Sequence, residues 1–378
     1  MKKITDIDIS NKRVIIRCDF NVPIEDNKIS DDTRIVKSLD TINYCINKAS
    51  KVIILSHLGR IESEEDKEKN SLKIVCKRLS ELLNKEVSFA EYNDKINEIV
   101  NNSNLILFEN TRFFDLDNKK ESKENKELSE YFASFGDIFI NEAFSVSHRE
   151  CSSLTGISKI LPSANGFTVC EEISNLSKLL NDYEKPYTVC LGGKKVSDKI
   201  GLIDNLIDKV DYILLSGLMV YTFLSALGYK TGKAFVEEDK IDYCKELLNK
   251  YRDKLILIED LYVRNNNTKI HRNIDEIDIN DECLDIGEKT VEVFKEYLLK
   301  SKTIFINGSF GLFEDPLYES GSKNMCEVFS KLDSKIYAGG GDTTYMLNKY
   351  NVTNAFMSTG GGATLTYLST GNLPGIIE

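Results

Sequence analysis

The chain has 378 residues, 41% of them apolar and 29% charged, a size and mix that call for two packed domains rather than one core. Its net charge of -11 argues against nucleic acid or an anionic membrane as the partner, so an anionic ligand must be gripped by a local cationic cluster. No run of about 18 apolar residues is present to span a membrane, the opening Met1-Lys2-Lys3-Ile4-Thr5-Asp6 lacks the apolar stretch of a secretory signal, and nine cysteines without a CxxC pair predict buried free thiols of a reducing cytosol, with neither disulfides nor a zinc site.

In chain order, short β-branched runs at 13–20, 51–58, 105–109 and 137–143 predict the strands of a first half. Runs at 187–191, 212–216, 254–259, 303–307 and 335–338 predict those of a second. They are almost continuously apolar, as strands covered on both faces must be. Helix-period segments lie between them; in 199–210, for instance, Ile203, Leu206, Ile207 and Val210 share one stripe. This alternation predicts an α/β protein of two doubly wound, parallel-sheet (Rossmann-like) lobes. The boundary falls at 170–183, where helical spacing suits a hinge helix between a lobe 1–169 and a lobe 184–363. The charged stretch 62–70 is expected to be a solvated loop, and 265–273, with His271, a polar surface segment.

Ligands of open α/β sheets bind beyond the carboxyl ends of the strands. In the first half those ends carry Asp19 and Asn21, His57 and Arg60, Arg112, then His148 and Arg149, with Arg34 after the turn Ser30-Asp31-Asp32-Thr33. Ten of the 49 basic residues are Arg, so a chain that prefers Lys still places Arg at 34, 60, 112 and 149. Guanidinium presents a planar fork that matches phosphate or carboxylate, and ammonium does not. One such Arg is ordinarily a surface ion pair; four at strand ends in one lobe, beside two of only three His, predict an anion site.

The second half carries glycine-rich turns instead: Leu191-Gly192-Gly193-Lys194-Lys195-Val196-Ser197-Asp198-Lys199, Gly339-Gly340-Gly341-Asp342-Thr343 and Gly360-Gly361-Gly362-Ala363-Thr364. Glycine admits a phosphate close to the backbone, the following helix N-terminus supplies free N–H groups, and Lys195 and Lys199 add charge. Neither the GxxxxGK[ST] P-loop nor a GxGxxG turn with its later acidic residue is present, which weighs against a nicotinamide-dependent dehydrogenase. Three such turns in one lobe predict a mononucleotide site. Asp342 is a candidate Mg²⁺ ligand, with helix N-capping as its ordinary alternative. Anion lobe and nucleotide lobe together suit phosphoryl transfer, which rests on positioning and charge neutralisation.

These motifs, in order along almost the whole chain, resemble the phosphoglycerate kinase family: Arg17-Cys18-Asp19-Phe20-Asn21-Val22-Pro23, Asp32-Thr33-Arg34-Ile35, Ser56-His57-Leu58-Gly59-Arg60, Glu109-Asn110-Thr111-Arg112-Phe113, Asn141-Glu142-Ala143-Phe144, then the glycine turns, Asp285-Ile286-Gly287 and Asn307-Gly308. The resemblance implies reversible transfer between 1,3-bisphosphoglycerate with MgADP and 3-phosphoglycerate with MgATP, by hinge closure, in a cytoplasmic monomer. It implies that Asp19, Asn21, Arg34, His57, Arg60, Arg112 and Arg149 hold the phosphoglycerate. Arg34, Lys195 and the amides of Gly360, Gly361 and Gly362 would serve the transferring phosphoryl group. Gly192, Gly193, Lys195, Lys199, Gly217, Leu218, Asn307, Glu314, Gly341, Asp342 and Thr343 would bind the nucleotide, with Asp342 on Mg²⁺. A C-terminal segment 364–378 would return to the first lobe.

The departures from the family pattern cluster around the nucleotide. Ser216-Gly217-Leu218-Met219 stands where GGGM is usual, Ile306-Asn307-Gly308-Ser309 for WNGP, and Gly192-Gly193-Lys194-Lys195 for GGAK. Two milder changes are Glu142 for Asp and Ile61 for the proline after Arg60. A paralogue with altered nucleotide preference, or with a regulatory and weakly catalytic role, is the second reading of this pattern.

Overall fold

The computed structural model describes residues 1–378. They divide into two compact units, Met1–Ser174 with Asn372–Glu378, and Asn175–Gly371. The division falls inside the helix Phe167–Asn181.

In the first unit the strands are β1 (Arg13–Cys18), the hairpin pair β2 (Ile24–Glu25) and β3 (Lys28–Ile29), β4 (Lys51–Leu55), β5 (Ser88–Ala90), β6 (Leu105–Phe108), β7 (Ile138–Glu142) and β8 (Ser163–Asn165). Six of them form one parallel sheet in the order β5-β6-β4-β1-β7-β8. Alternation along β1 sends Val14, Ile16 and Cys18 into one apolar cluster, while Ile15 joins Ile53, Ile106 and Phe139 in the other. Both faces are therefore buried, as the unbroken apolar runs require. Arg17 shares the face of Ile15, so a guanidinium enters an otherwise apolar layer. The chain runs outward from β1 to β4 and β6, then returns to place β7 on the other side of β1. That reversal opens a crevice at the carboxyl ends of β1 and β7.

The second unit follows the same logic with β9 (Tyr187–Leu191), β10 (Tyr212–Leu215), β11 (Leu255–Ile256), β12 (Asp260–Asn265), β13 (Thr268–Asn273), β14 (Glu282–Ile286), β15 (Thr303–Asn307), β16 (Lys335–Ala338) and β17 (Ala355–Met357). Its parallel sheet has the order β11-β10-β9-β15-β16-β17, with the reversal between β9 and β15. The helix Gly362–Thr370 belongs to this unit; it packs on the helix Ile200–Leu206, and Leu368 accepts from Asn205 Nδ2.

Two stretches are more regular than the sequence alone suggests. Residues 62–70 contain the helix Glu64–Lys69, because Ser63 caps it and Asp66 returns the bond to the Ser63 amide at 2.9 Å, a reciprocal cap that stabilises even a solvated turn. Residues 265–273 lie at the surface as expected, with His271 exposed, and they form most of an antiparallel hairpin. Asn266 and Asn267 both take positive φ (47° and 59°), forming a two-residue turn whose twist suits paired strands, and β14 completes a three-stranded sheet, β13-β12-β14. All nine cysteines are free; eight are buried and Cys170 is half-buried.

Candidate active site

At the β1 end of the first unit, Asp19 accepts hydrogen bonds from Arg34 Nη1 and Ser145 Oγ through Oδ2, and from the Asn21 amide at 3.1 Å through Oδ1. Asn21 Oδ1 in turn receives the Gly59 amide at 2.8 Å, tying the loop after β1 to the loop after β4. Arg112 is placed by Asn110, whose Oδ1 accepts the Arg112 amide at 3.0 Å, and its own Nη1 donates to the Gly59 carbonyl. Arg149 Nε donates to His148 Nε2 at 3.1 Å. Arg149 and Arg112 line one cavity of about 400 Å³ together with Arg17 and Glu121. Of the predicted residues Asp19, Asn21, Arg34, His57 and Arg112 are brought together, Arg149 joins them across that cavity, and Arg60 lies exposed beyond Gly59.

His57 is 4% exposed, and burial together with Arg17, Arg112, Arg34 and Arg149 holds its pKa well below the usual imidazole value. It is therefore neutral at physiological pH. Arg17 Nη2 lies 3.1 Å from His57 Nδ1. A guanidinium carries no acceptor, so Nδ1 must accept and the imidazole proton sits on Nε2. Burial foremost, with Arg17 and Arg149 beside it, depresses the Arg112 pKa. This cluster is short of negative charge, and an anion would relieve it. Arg17 was not among the predicted site residues; the available signal was a charged residue inside the apolar run Val14-Ile15-Ile16-Arg17-Cys18.

In the second unit the reversal between β9 and β15 is built from glycine. Gly308 takes φ 107°, and a Cβ on it would lie 2.3 Å from the Gly192 carbonyl carbon; one on Gly217 (φ 62°) would lie 2.5 Å from the Gly193 nitrogen. Three loops thus close on one another backbone to backbone, which a side chain would forbid. Lys199 Nζ donates to Asn307 Oδ1, Asn307 Nδ2 to the Gly339 carbonyl at 2.6 Å, and the Gly308 amide to Thr343 Oγ1 at 2.7 Å. Burial lowers the Lys199 pKa, while Asp198 and Asp342 counteract it. Gly341, Asp342 and Thr343 form the first turn of the helix Gly341–Lys349, with Asp342 exposed and Thr343 buried.

Beside this cradle lies a largely apolar cavity of about 240 Å³, lined by Gly193, Lys194, Gly217, Leu218, Tyr221, Ile286, Ser309, Leu312 and Glu314 among others. Leu218 lines this space and does not fill it. The Lys194 ammonium sits 5.0 Å from the Phe235 ring centroid, a cation–π contact. Lys195 is exposed in the turn before the helix Ile200–Leu206. At the third glycine turn the Gly360 amide donates to Ser358 Oγ at 3.1 Å, whereas Gly361 (φ 52°) and Gly362 open the helix Gly362–Thr370. Tyr221 and Leu312 escaped the sequence reading, because apolar walls carry no motif.

The geometry can be set beside known proteins. The phosphoglycerate kinase family model matches residues 4–371. The chain belongs to the phosphoglycerate kinase family. Among similar proteins of that name, the one from Listeria innocua is 42% identical over 99% of this chain and 98% of its own, and that from Lactobacillus delbrueckii subsp. bulgaricus is 44% identical over 99% and 97%. The solved phosphoglycerate kinase of Coxiella burnetii superimposes with a TM-score of 0.87 at 34% identity, over 99% of this chain and 97% of its own. That of Pyrococcus horikoshii gives 0.85 at 28%, over the same shares. A phosphoglycerate kinase family member of α/β fold thus has a glycine cradle at one sheet reversal and a guanidinium cluster at the other.

Proposed function

We propose that the chain catalyses reversible phosphoryl transfer between 1,3-bisphosphoglycerate with MgADP and 3-phosphoglycerate with MgATP, a carboxyl-acceptor phosphotransferase reaction. The observation that carries this is the content of the two sheet reversals, cationic in one unit and glycine amide in the other, in a chain of this family. In the first unit Asp19 orients Arg34, and Asn21, His57, Arg60, Arg112 and Arg149 with it bind phosphoglycerate. Arg34 and Lys195 neutralise the charge of the transferring group, aided by amides at Gly360, Gly361 and Gly362. The Gly360 amide is already engaged by Ser358, so Gly361 and Gly362 are the better donors. In the second unit Gly192, Gly193, Gly217, Lys199, Asn307, Gly341 and Thr343 cradle the nucleotide phosphates, while Leu218 and Glu314 border base and ribose.

Asp342 fits a magnesium ion: it is an exposed carboxylate in the first turn of a helix, close enough to Lys199 to affect its ionisation. One carboxylate completed by phosphate oxygens is a usual Mg²⁺ arrangement. When bound, Mg²⁺ supplies charge to the nucleotide phosphates. The helix Phe167–Asn181 is proposed as the hinge that brings donor and acceptor into line during turnover. Nine free cysteines support a reducing cytoplasm as the location, and a monomer is proposed from the same reading. No helix is long and apolar enough to cross a membrane.

The catalytic reading is favoured over a regulatory paralogue because the phosphate-handling contacts of Lys199, Asn307 and Thr343 are intact and the base cavity is open. A coupled assay with MgATP and 3-phosphoglycerate tests it. Turnover is expected; folded protein that turns over neither ATP nor GTP would leave the regulatory reading.

A further inference from the structure

The contacts behind His57 continue past Arg17 into the interior. Arg17 Nε donates to Ser153 Oγ at 2.8 Å, and the Ser153 hydroxyl donates onward to Glu121 Oε1. Glu121 Oε2 also accepts the Ser153 amide at 3.1 Å. Arg17 and Glu121 are each 2% exposed. Burial raises the Glu121 pKa, and Arg17 is the first influence opposing that rise. Glu121 is thus the buried anion behind a buried cation, in a unit whose other guanidiniums nearby only repel Arg17. Without it, Arg17 would be an uncompensated charge in the interior.

The bland alternative is that Glu121 merely staples its loop to the turn Ser152–Gly156. That loop has other fastenings, since the Ser152 amide donates to the Glu121 carbonyl at 2.9 Å and Ser152 Oγ to the Lys120 carbonyl at 2.9 Å. The carboxylate takes two hydrogen bonds from Ser153, the residue that meets Arg17. The three guanidinium nitrogens of Arg17 face three ways: Nε toward Ser153, Nη1 toward the Cys18 carbonyl and Nη2 toward His57.

We propose that Glu121 is a positioning residue for phosphoglycerate: its buried charge, passed on through Ser153, holds Arg17 where it fixes His57 as the Nε2–H tautomer. The inference rests on the phosphoglycerate reading of this site. Glu121 touches no reacting atom in it. A single tautomer gives the ligand one permanent donor at a fixed place, where a freely exchanging imidazole would present a donor only part of the time.

The experiment uses Glu121→Gln, which keeps shape and an acceptor for Ser153 but removes the charge, with Glu121→Asp as the conservative variant and Ser153→Ala in reserve should Glu121→Gln not fold. The chain has only three His, so imidazole nitrogen correlation spectra of the ligand-free protein are assigned by comparison with His57→Gln. Wild type is expected to show bare Nδ1 and protonated Nε2 at His57 at neutral pH, and Glu121→Gln a mixture of tautomers. The KM for 3-phosphoglycerate is expected to rise by about fivefold or more, with kcat and the nucleotide KM within about twofold, and Glu121→Asp should recover part of the loss. A single unchanged tautomer in Glu121→Gln overturns the proposal. So does an altered spectrum with an unchanged phosphoglycerate KM, or a parallel loss of kcat and both KM values. Absence of turnover in the wild type would defeat the phosphoglycerate reading instead, while the spectra still judge the hold of Glu121 on His57.

Discussion

Arg17 Nη2 stands 3.1 Å from His57 Nδ1, and both side chains are buried. A cation that only donates is thereby set against an imidazole that must accept. Replacing Arg17 with Met should remove this restraint and leave Glu121 without its counter-charge. The expected cost is roughly 3 kcal/mol in urea unfolding, in the range for breaking a buried pair on one side. Arg17→Lys should restore little, because one ammonium cannot serve Ser153 and His57 from two separate nitrogens. Wild-type stability in Arg17→Met would show that the pair is not coupled.

Lys195 is exposed in the turn that opens the nucleotide cradle. Lys195→Ala should lower kcat by about 10²-fold or more, as expected where a lost transition-state charge costs roughly 3 kcal/mol. The phosphoglycerate KM should change little. Steady-state kinetics in the coupled assay check this, and an unchanged kcat would take Lys195 out of the machinery.

The third expectation concerns Leu218, which lines the apolar cavity next to Gly217. Because it borders an open space, it should offer the base apolar surface and not exclude it. Leu218→Ala should therefore weaken MgADP binding by about 3- to 10-fold, as a gap of one to two buried methylenes predicts. Calorimetric titration of ADP, GDP and IDP measures it. Tighter binding in Leu218→Ala would mean that the side chain obstructs the pocket.

Glu142 ends β7 and is buried, accepting the Thr168 amide at 3.1 Å. Desolvation pushes its pKa up to about 8, against hydrogen bonds from Thr168 and Thr41 that lower it. The native state therefore binds this proton more tightly than the unfolded chain does. Its protonation favours folding at low pH, and that advantage is lost as pH rises from the ordinary carboxylate range through about 8. Glu142→Gln should match wild type near pH 5 and exceed it near pH 9 by on the order of 4 kcal/mol, from the size of such a shift. Asp285, raised to about 7, adds a slope of the same sign to both proteins and cancels in the comparison. Parallel stability–pH curves would show that Glu142 stays ionised.

Much of the architecture could be read from order and period alone. Continuous apolar runs such as Val14-Ile15-Ile16 and Thr303-Ile304-Phe305-Ile306 require cover on both faces, which two parallel sheets provide. The three-residue strands β5, β8 and β17 were illegible, because so short a run has no period and gains its bonds from a neighbouring strand. The hairpin β12–β13 was missed because its half-exposed faces carry Lys, His, Arg and Asn. Its one local mark was Asn266-Asn267, a turn pair whose φ signs only the folded chain reveals.

At the site, residue order alone says which chemical groups stand at the strand ends: guanidinium after the first sheet, glycine and Lys after the second. Those are local facts, set by which residue follows each apolar run. How they are held emerges with the folded packing. Arg17, Ser153 and Glu121 are separated by more than a hundred residues in part, and it is their shared burial behind His57 that makes them one unit. Burial strips water from these charges and obliges each to find a partner, and no spacing in the chain announces which partner that will be.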